Sequence, residues 1–157
     1  MEEFSEKYKG LIRWQNQNVL TVNKQGYLKV FTGREFIFNK YKNKDGSWSY
    51  SRPQICNYAV QGVATADIMP LCMVVAFRRL RRSGYFDKGV KFINQVHDSI
   101  ILDSPNHLCE EVGKIIFDVF AEIPQLVKQY WGYDWATPMA GEVAIGPNWK
   151  EMTKIKY

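Results

Sequence analysis

Apolar positions recur at two periods along this chain, and the switches between them mark where helix gives way to strand. Over residues 1–20, Phe4, Tyr8, Leu11, Ile12, Gln15 and Val19 fall on one helical stripe, with Gly10 as its weak point. This helix starts almost at Met1, as if the chain began inside a domain. Residues 26–38 read as two strands around Thr32-Gly33. The polar stretch 39–51, with Lys40, Lys42, Lys44 and Asp45-Gly46, reads as a mobile loop. Ser51 then caps a helix that tolerates Pro53 in its first turn, and Gly62 is placed to break it. The next helix puts Ala64, Ile68, Leu71, Cys72, Val75 and Leu80 on a core face, with a kink at Pro70. It ends in Arg78-Arg-Leu-Arg-Arg82 before Ser83-Gly84.

Residues 91–103 are the stretch around which the rest of the pattern is organised. Two apolar, β-prone runs meet at the polar pair His97-Asp98, which reads as a tight hairpin turn. Both runs carry large residues on both faces, so the hairpin is expected in the middle of a sheet. A carboxylate and an imidazole at such a lip are preorganised for metal chemistry, but Asp is also ordinary turn chemistry. Beyond it, Ser104-Pro105 opens a helix whose buried stripe is Leu108, Val112, Ile115, Ile116, Val119, Phe120 and Ile123, stopped at Pro124. An aromatic segment over 126–135 leads to a last strand over 138–145 and a tail. The order α-β-β-α-α-β-β-α-β describes an α+β fold, one antiparallel sheet backed by helices.

Composition narrows the chemistry. The formal charge of +5 permits a polyanionic partner, and the four arginines Arg78, Arg79, Arg81 and Arg82 are phosphate-contact candidates. Cations also favour a helix C-terminus before glycine, so the cluster has a structural explanation, and that explanation is the favoured one. Cys56, Cys72 and Cys109 are too widely spaced for a metal-ligand pair or a disulfide framework. No apolar run approaches the roughly 18 residues of a membrane span, so no membrane partner and a cytoplasmic location are expected.

Four stretches in fixed order then point to one family: Gly26-Tyr-x5-Gly33-Arg34, Asn57-x3-Gln61-Gly62-x2-Thr65-Ala66-Asp67-Ile68, Gln95-Val-His-Asp98, and Pro138-x3-Glu142-x3-Gly146-x-Asn148-Trp149. Together they resemble the C-terminal third of a family A DNA polymerase, the DNA polymerase I type and especially its phage relatives. Phe4-x3-Tyr8-x-Gly10-Leu11 resembles the helix that follows the family's nucleotide-binding helix.

The resemblance implies roles. Asp98 corresponds to one of two palm carboxylates that hold a pair of Mg2+ ions, about 4 Å apart in two-metal enzymes. His97 corresponds to the position beside the primer terminus. Asn57 and Gln61 correspond to amides that read the minor groove, whose acceptor pattern is nearly the same for every base pair. Arg34, Arg52 and Gln95 join the implied DNA-binding set. Two positions depart from the family pattern: Ser99 stands where Glu is common, and Pro53 stands where an Arg is expected, with Arg52 beside it. The first palm carboxylate and the fingers helix have no counterpart in these residues.

The expected protein is therefore a single partial domain, 1–50 forming the end-of-fingers helix and hairpin and 51–157 the C-terminal palm. It would act as the palm component of a split or fragmentary DNA-directed DNA polymerase. Its implied partners are primer–template DNA, deoxynucleoside triphosphates and a chain carrying the remaining palm, fingers and thumb. If the gene is a phage gene, the location is the host cytoplasm. The competing reading is a non-catalytic primer–template-binding fragment or an inactive remnant.

Overall fold

The computed structural model describes residues 2–157, so the expected helix start at Met1 lies outside the described residues. The chain packs as two compact units, one up to Ala64 and the other Thr65–Tyr157.

In the first unit, α1 (Glu2–Lys7) and α2 (Lys9–Gln25) are separated at Tyr8, whose backbone leaves helical geometry (φ −113°, ψ 46°). The helical stripe thus breaks at Tyr8 and passes unbroken through Gly10, against the sequence expectation. It also runs beyond residue 20 to Gly26, whose φ of 84° closes the helix with an N–H to the Val22 carbonyl at 2.8 Å. Next, β1 (Tyr27–Lys29) and β2 (Glu35–Ile37) pair antiparallel, Leu28 opposite Phe36. Val22, Leu28, Phe38 and Ile55 form the core of this unit, with Val19, Phe36, Tyr50 and Ala59 packed on it. The stretch expected to be a mobile loop is a second ribbon, β3 (Tyr41–Lys42) against β4 (Trp48–Ser49). Its hydrophilic composition concealed the local hydrogen bonding of Asn43, Asp45 and Ser47, which builds the turn.

Ser51 accepts from the Gln54 N–H and caps α3 (Arg52–Asn57), with Pro53 harmless in the first turn. Gly62 does not end the helix. The backbone instead widens into two π turns, at Tyr58–Gly62 and Ala64–Ile68, before α4 (Met69–Arg82). The expected kink at Pro70 is replaced by this widening. Proline has no N–H to donate, so the turn before it is free to depart from α geometry. The helical stretch Arg52–Arg82 is long and apolar enough to cross a membrane by length and composition alone, which overturns the expectation that no such run exists. Within it, Ile55, Val63, Ile68, Met69, Cys72, Val75, Ala76 and Leu80 are buried in protein packing.

In the second unit, β5 (Lys91–Val96) and β6 (Ser99–Asp103) pair antiparallel with a bulge between Phe92 and Asn94. Among the described residues no further strand joins them: all four sheets are two-stranded. The expected central position in one large sheet is thus corrected. Ile100, Ile101 and Leu102 instead line a cavity of about 220 Å³ shared with α5 (Cys109–Ala121) and β7 (Val143–Ile145). Ile93 on β5 is 58% exposed, so the ribbon keeps an open face, and an apolar residue left exposed reads in sequence like one buried between strands.

Three boundaries also move. A 3-10 turn (Asn106–Leu108) precedes α5, and Ser104 does not cap it. Helix α5 does stop ahead of Pro124, at Ala121, but Pro124 also lies in the first turn of a further helix, α6 (Ile123–Trp131), which replaces the expected aromatic segment. The last strand is only Val143–Ile145, and its partner β8 (Thr153–Ile155) lies in the expected tail. Tyr157 fastens that tail: its hydroxyl donates to the Glu110 carbonyl at 2.7 Å, and its ring lies 5.5 Å from Phe117. Helix α4 packs on α5, and the Arg79 guanidinium forks onto both oxygens of Glu122.

Candidate functional site

His97 and Asp98 form the two-residue turn between β5 and β6, with Val96 and Ser99 as the closing pair of the ladder. His97 takes a φ of 51°, and it alone among the described non-glycine residues has a positive φ. A positive φ at the first turn residue is the mark of a II′ hairpin turn, a position that favours glycine. Two side chains brace this turn. Ser99 Oγ donates to the Val96 carbonyl at 2.8 Å, and Gln95 Nε2 donates to the His97 carbonyl at 3.2 Å. The Gln95 N–H is itself held by Asn94 Oδ1 at 2.8 Å. His97, Asp98 and Ser99 are all exposed. The chemical content of the turn is therefore an imidazole and a carboxylate presented to solvent on a braced support.

As a metal site these residues are incomplete. Among the described residues no group of three His, Cys, Asp or Glu side chains is placed to hold an ion. One exposed carboxylate does not hold two hard cations, which need several oxygen ligands each.

Arg34, Arg52, Asn57 and Gln61 belong to the first unit and are exposed. Asn57 ends α3, and Gln61 lies in the π turn that follows, so the amides stand one helical turn apart. Gly62, next to Gln61, is where the helix meets the β1–β2 ribbon: a Cβ there would lie 2.9 Å from Phe36 Cζ. The glycine of this stretch thus has a packing reason, and the close approach fixes how the π turn sits on the ribbon. Arg52 donates to Asn16 Oδ1 on α2 at 2.8 Å, a partner that periodicity did not single out because Asn16 lies off the apolar stripe.

Arg78, Arg79, Arg81 and Arg82 lie in the second unit, in the last turns of α4. They are not equivalent. Arg79 is held by Glu122, and this hydrogen-bonded partner raises its pKa and keeps it charged. Arg78 Nη1 reaches the Tyr130 hydroxyl at 3.5 Å. Arg81 and Arg82 are exposed and make no ion pair with a described residue. The cluster therefore divides into one cation held by an acid, Arg79, one resting on a tyrosine hydroxyl, Arg78, and two solvent-facing ones, Arg81 and Arg82.

The fourth stretch also resolves into structure. Asn148 Oδ1 accepts from the Lys150 and Glu151 N–H groups at 3.0 and 3.1 Å, an Asx turn that carries the chain from β7 to β8. Trp149 stays exposed.

Comparison with known proteins agrees over nearly the whole length. The family described as DNA polymerase family A matches residues 1–151. DNA polymerase I of Chloroflexus aurantiacus is 25% identical over 149 residues, covering 95% of this chain and 14% of that protein. The thermostable DNA polymerase I of Thermus aquaticus is 26% identical over 150 residues, 95% of this chain and 16% of that one. The chain thus spans about one seventh of the length of the curated relatives it matches. Its fold is similar to that of the POL domain of Pol1 from M. smegmatis, solved in complex with DNA primer–template and dNTP. The TM-score is 0.69 at 18% identity, over 88% of this chain and 22% of that one. Mixed helices and small antiparallel ribbons, the four ordered stretches and the match over 1–151 converge: this chain belongs to DNA polymerase family A.

Proposed function

We propose that this chain is the C-terminal palm component of a DNA-directed DNA polymerase, acting with a partner chain that carries the remaining palm, fingers and thumb. The observation that carries the reading is the family match over residues 1–151 on a chain whose His97-Asp98 turn is exposed and braced. In this reading Asp98 contributes one carboxylate to a Mg2+ site completed from outside these residues, and His97 stands by the primer terminus. Asn57 and Gln61 check the minor groove of primer–template DNA as amide donors, with Arg34, Arg52 and Gln95 as further DNA contacts. Arg81 and Arg82 are the cluster's free cations for phosphate. The substrates are deoxynucleoside triphosphates. Since these residues offer one carboxylate at the turn, nucleotide incorporation depends on the partner.

Primer extension tests this directly, with the purified chain alone and with candidate partner chains. Extension is expected only in the mixture. Asp98→Asn should lower it on the order of a hundredfold or more, as loss of a key electrostatic group does, with folding unchanged because an exposed turn accepts Asn. Robust extension by the chain alone, or full activity of the Asp98→Asn mixture, would overturn the proposal. The absence of a metal-holding group among the described residues favours a second reading, a primer–template-binding fragment without catalysis. Duplex binding with no extension in any mixture would select it.

A further inference from the structure

The β3–β4 ribbon of the first unit is ordered, yet its side chains add little to any core. Tyr41 faces Ser49 across the ribbon and Lys42 faces Trp48. Cross-strand partners share a face and neighbours along a strand alternate, so Lys42 and Trp48 stand together on one side and Tyr41 and Ser49 on the other. Trp48 is 63% exposed and Tyr41 50%.

The turn between them is tightly set. The Asn43 N–H donates to the Ser47 carbonyl at 2.7 Å, and the Gly46 N–H to the Asn43 carbonyl at 3.0 Å. Asp45 Oδ1 accepts from the Ser47 N–H at 2.9 Å and from its hydroxyl at 2.6 Å. Those bonds hold the Asp45 carboxyl below its usual pKa, so the acid is spent on the turn. Of the three lysines, Lys40 lies over the Tyr50 ring at 5.3 Å. Lys42 and Lys44 make no ion pair with a described residue and remain available.

A large ring held in water beside an unpaired lysine, on a rigid support, has the chemistry of a base-stacking platform. Stacking on an aromatic ring is tolerant of sequence, and neighbouring cations track the phosphates. We propose that the ribbon is a contact for single-stranded nucleic acid, Trp48 stacking on a base while Lys42 and Lys44 meet the adjoining phosphates. The geometry stands on its own, but the choice of nucleic acid rests on the polymerase reading above. A membrane surface fits less well. The two aromatic rings lie on opposite sides of the ribbon, so neither side offers a continuous apolar face.

The test titrates the full chain with a single-stranded oligothymidylate at several salt concentrations, following tryptophan emission, with duplex binding measured in parallel. The wild-type chain should bind with quenching. Trp48→Ala should weaken binding roughly tenfold, within the range for loss of one stacked base. Trp48→Phe should retain most of the affinity but lose the Trp48 share of the quench, the other four tryptophans reporting unchanged. Lys42→Gln with Lys44→Gln should lower the salt slope by about 1.4, two phosphate contacts to a single strand. Equal affinity of wild type and Trp48→Ala would overturn the proposal. So would binding to phosphatidylserine vesicles with none to oligothymidylate. If duplex binds normally while Trp48→Ala changes nothing, only this proposal fails. If the wild-type chain binds neither duplex nor single strand, the polymerase reading fails with it.

Discussion

Ser99 Oγ donates to the Val96 carbonyl oxygen at 2.8 Å across the turn that carries His97 and Asp98. The resemblance expects Glu at position 99; here a hydroxyl is used to clamp the backbone that presents Asp98. Position 99 thus contributes to the turn through local geometry. Ser99→Ala should cost about 1 kcal/mol, the net worth of one hydrogen bond, read as a shifted urea midpoint. His97, at φ 51°, tests the same turn from the other side. His97→Gly should fold at least as stably, whereas His97→Val, β-branched in that region, should cost about 1–3 kcal/mol.

Gly146 makes a sharper case. A Cβ there would collide with the Glu151 carbonyl oxygen, part of the backbone that returns toward β8. Gly146→Ala therefore has to displace the β7–β8 turn, at about 1–3 kcal/mol as for other overpacked sites. Amide hydrogen exchange should report it as faster exchange in Thr153–Ile155, with α5 unaffected.

The arginine cluster should separate into two behaviours. Arg79→Ala breaks the forked pair with Glu122 and should lower stability by about 1 kcal/mol, since both side chains are partly exposed. Arg81→Ala and Arg82→Ala should leave stability within about 0.5 kcal/mol. If they meet phosphate, each should reduce the salt slope of duplex binding by about 0.9. Denaturation and a salt series on the same variants check both halves.

The proposed minor-groove role of Asn57 and Gln61 predicts a kinetic signature. Asn57→Ala or Gln61→Ala should slow extension from matched primers by about 1–2 kcal/mol in the reconstituted enzyme. Mismatched termini should suffer less, because their acceptors are already displaced, so the two rates converge. Single-turnover extension on both primers decides it, and equal slowing would assign the amides to the fold.

Stability should fall at alkaline pH. Burial pushes the Cys72 thiol up to about 11 from an ordinary 9.0. Above pH 9 the unfolded chain releases this proton while the folded one keeps it, so the unfolded state binds fewer protons and stability declines. The loss should run from about pH 9 to 11 and amount to at most about 3 kcal/mol. Tyr85, raised by its hydrogen bond to Glu111, and Tyr157, raised by burial, add in the same direction. Urea midpoints at pH 8 and 10.5 for wild type and Cys72→Ala should show part of this slope vanish in the variant.

Much of this protein was legible without its structure where the signal is local or ordered along the chain. The Ser51 cap and the end of α4 before Ser83-Gly84 follow from backbone chemistry that a few neighbouring residues decide. The four ordered stretches pointed to family A because their residue types and order survive any uncertainty about packing. Packing decided the rest. Whether the apolar runs flanking His97-Asp98 are covered by strands or by helices and a cavity depends on residues distant in sequence, and periodicity is blind to that. That Gly62 sits against Phe36 is a contact between residues 26 apart in the numbering, which no local pattern announces. Arg79 and Arg81 look alike as letters, and only the fold brings Glu122 to one of them. Local preference selects helices, caps and turns; which charges stay free for a ligand is set by long-range packing, because only the folded chain decides which partner is near.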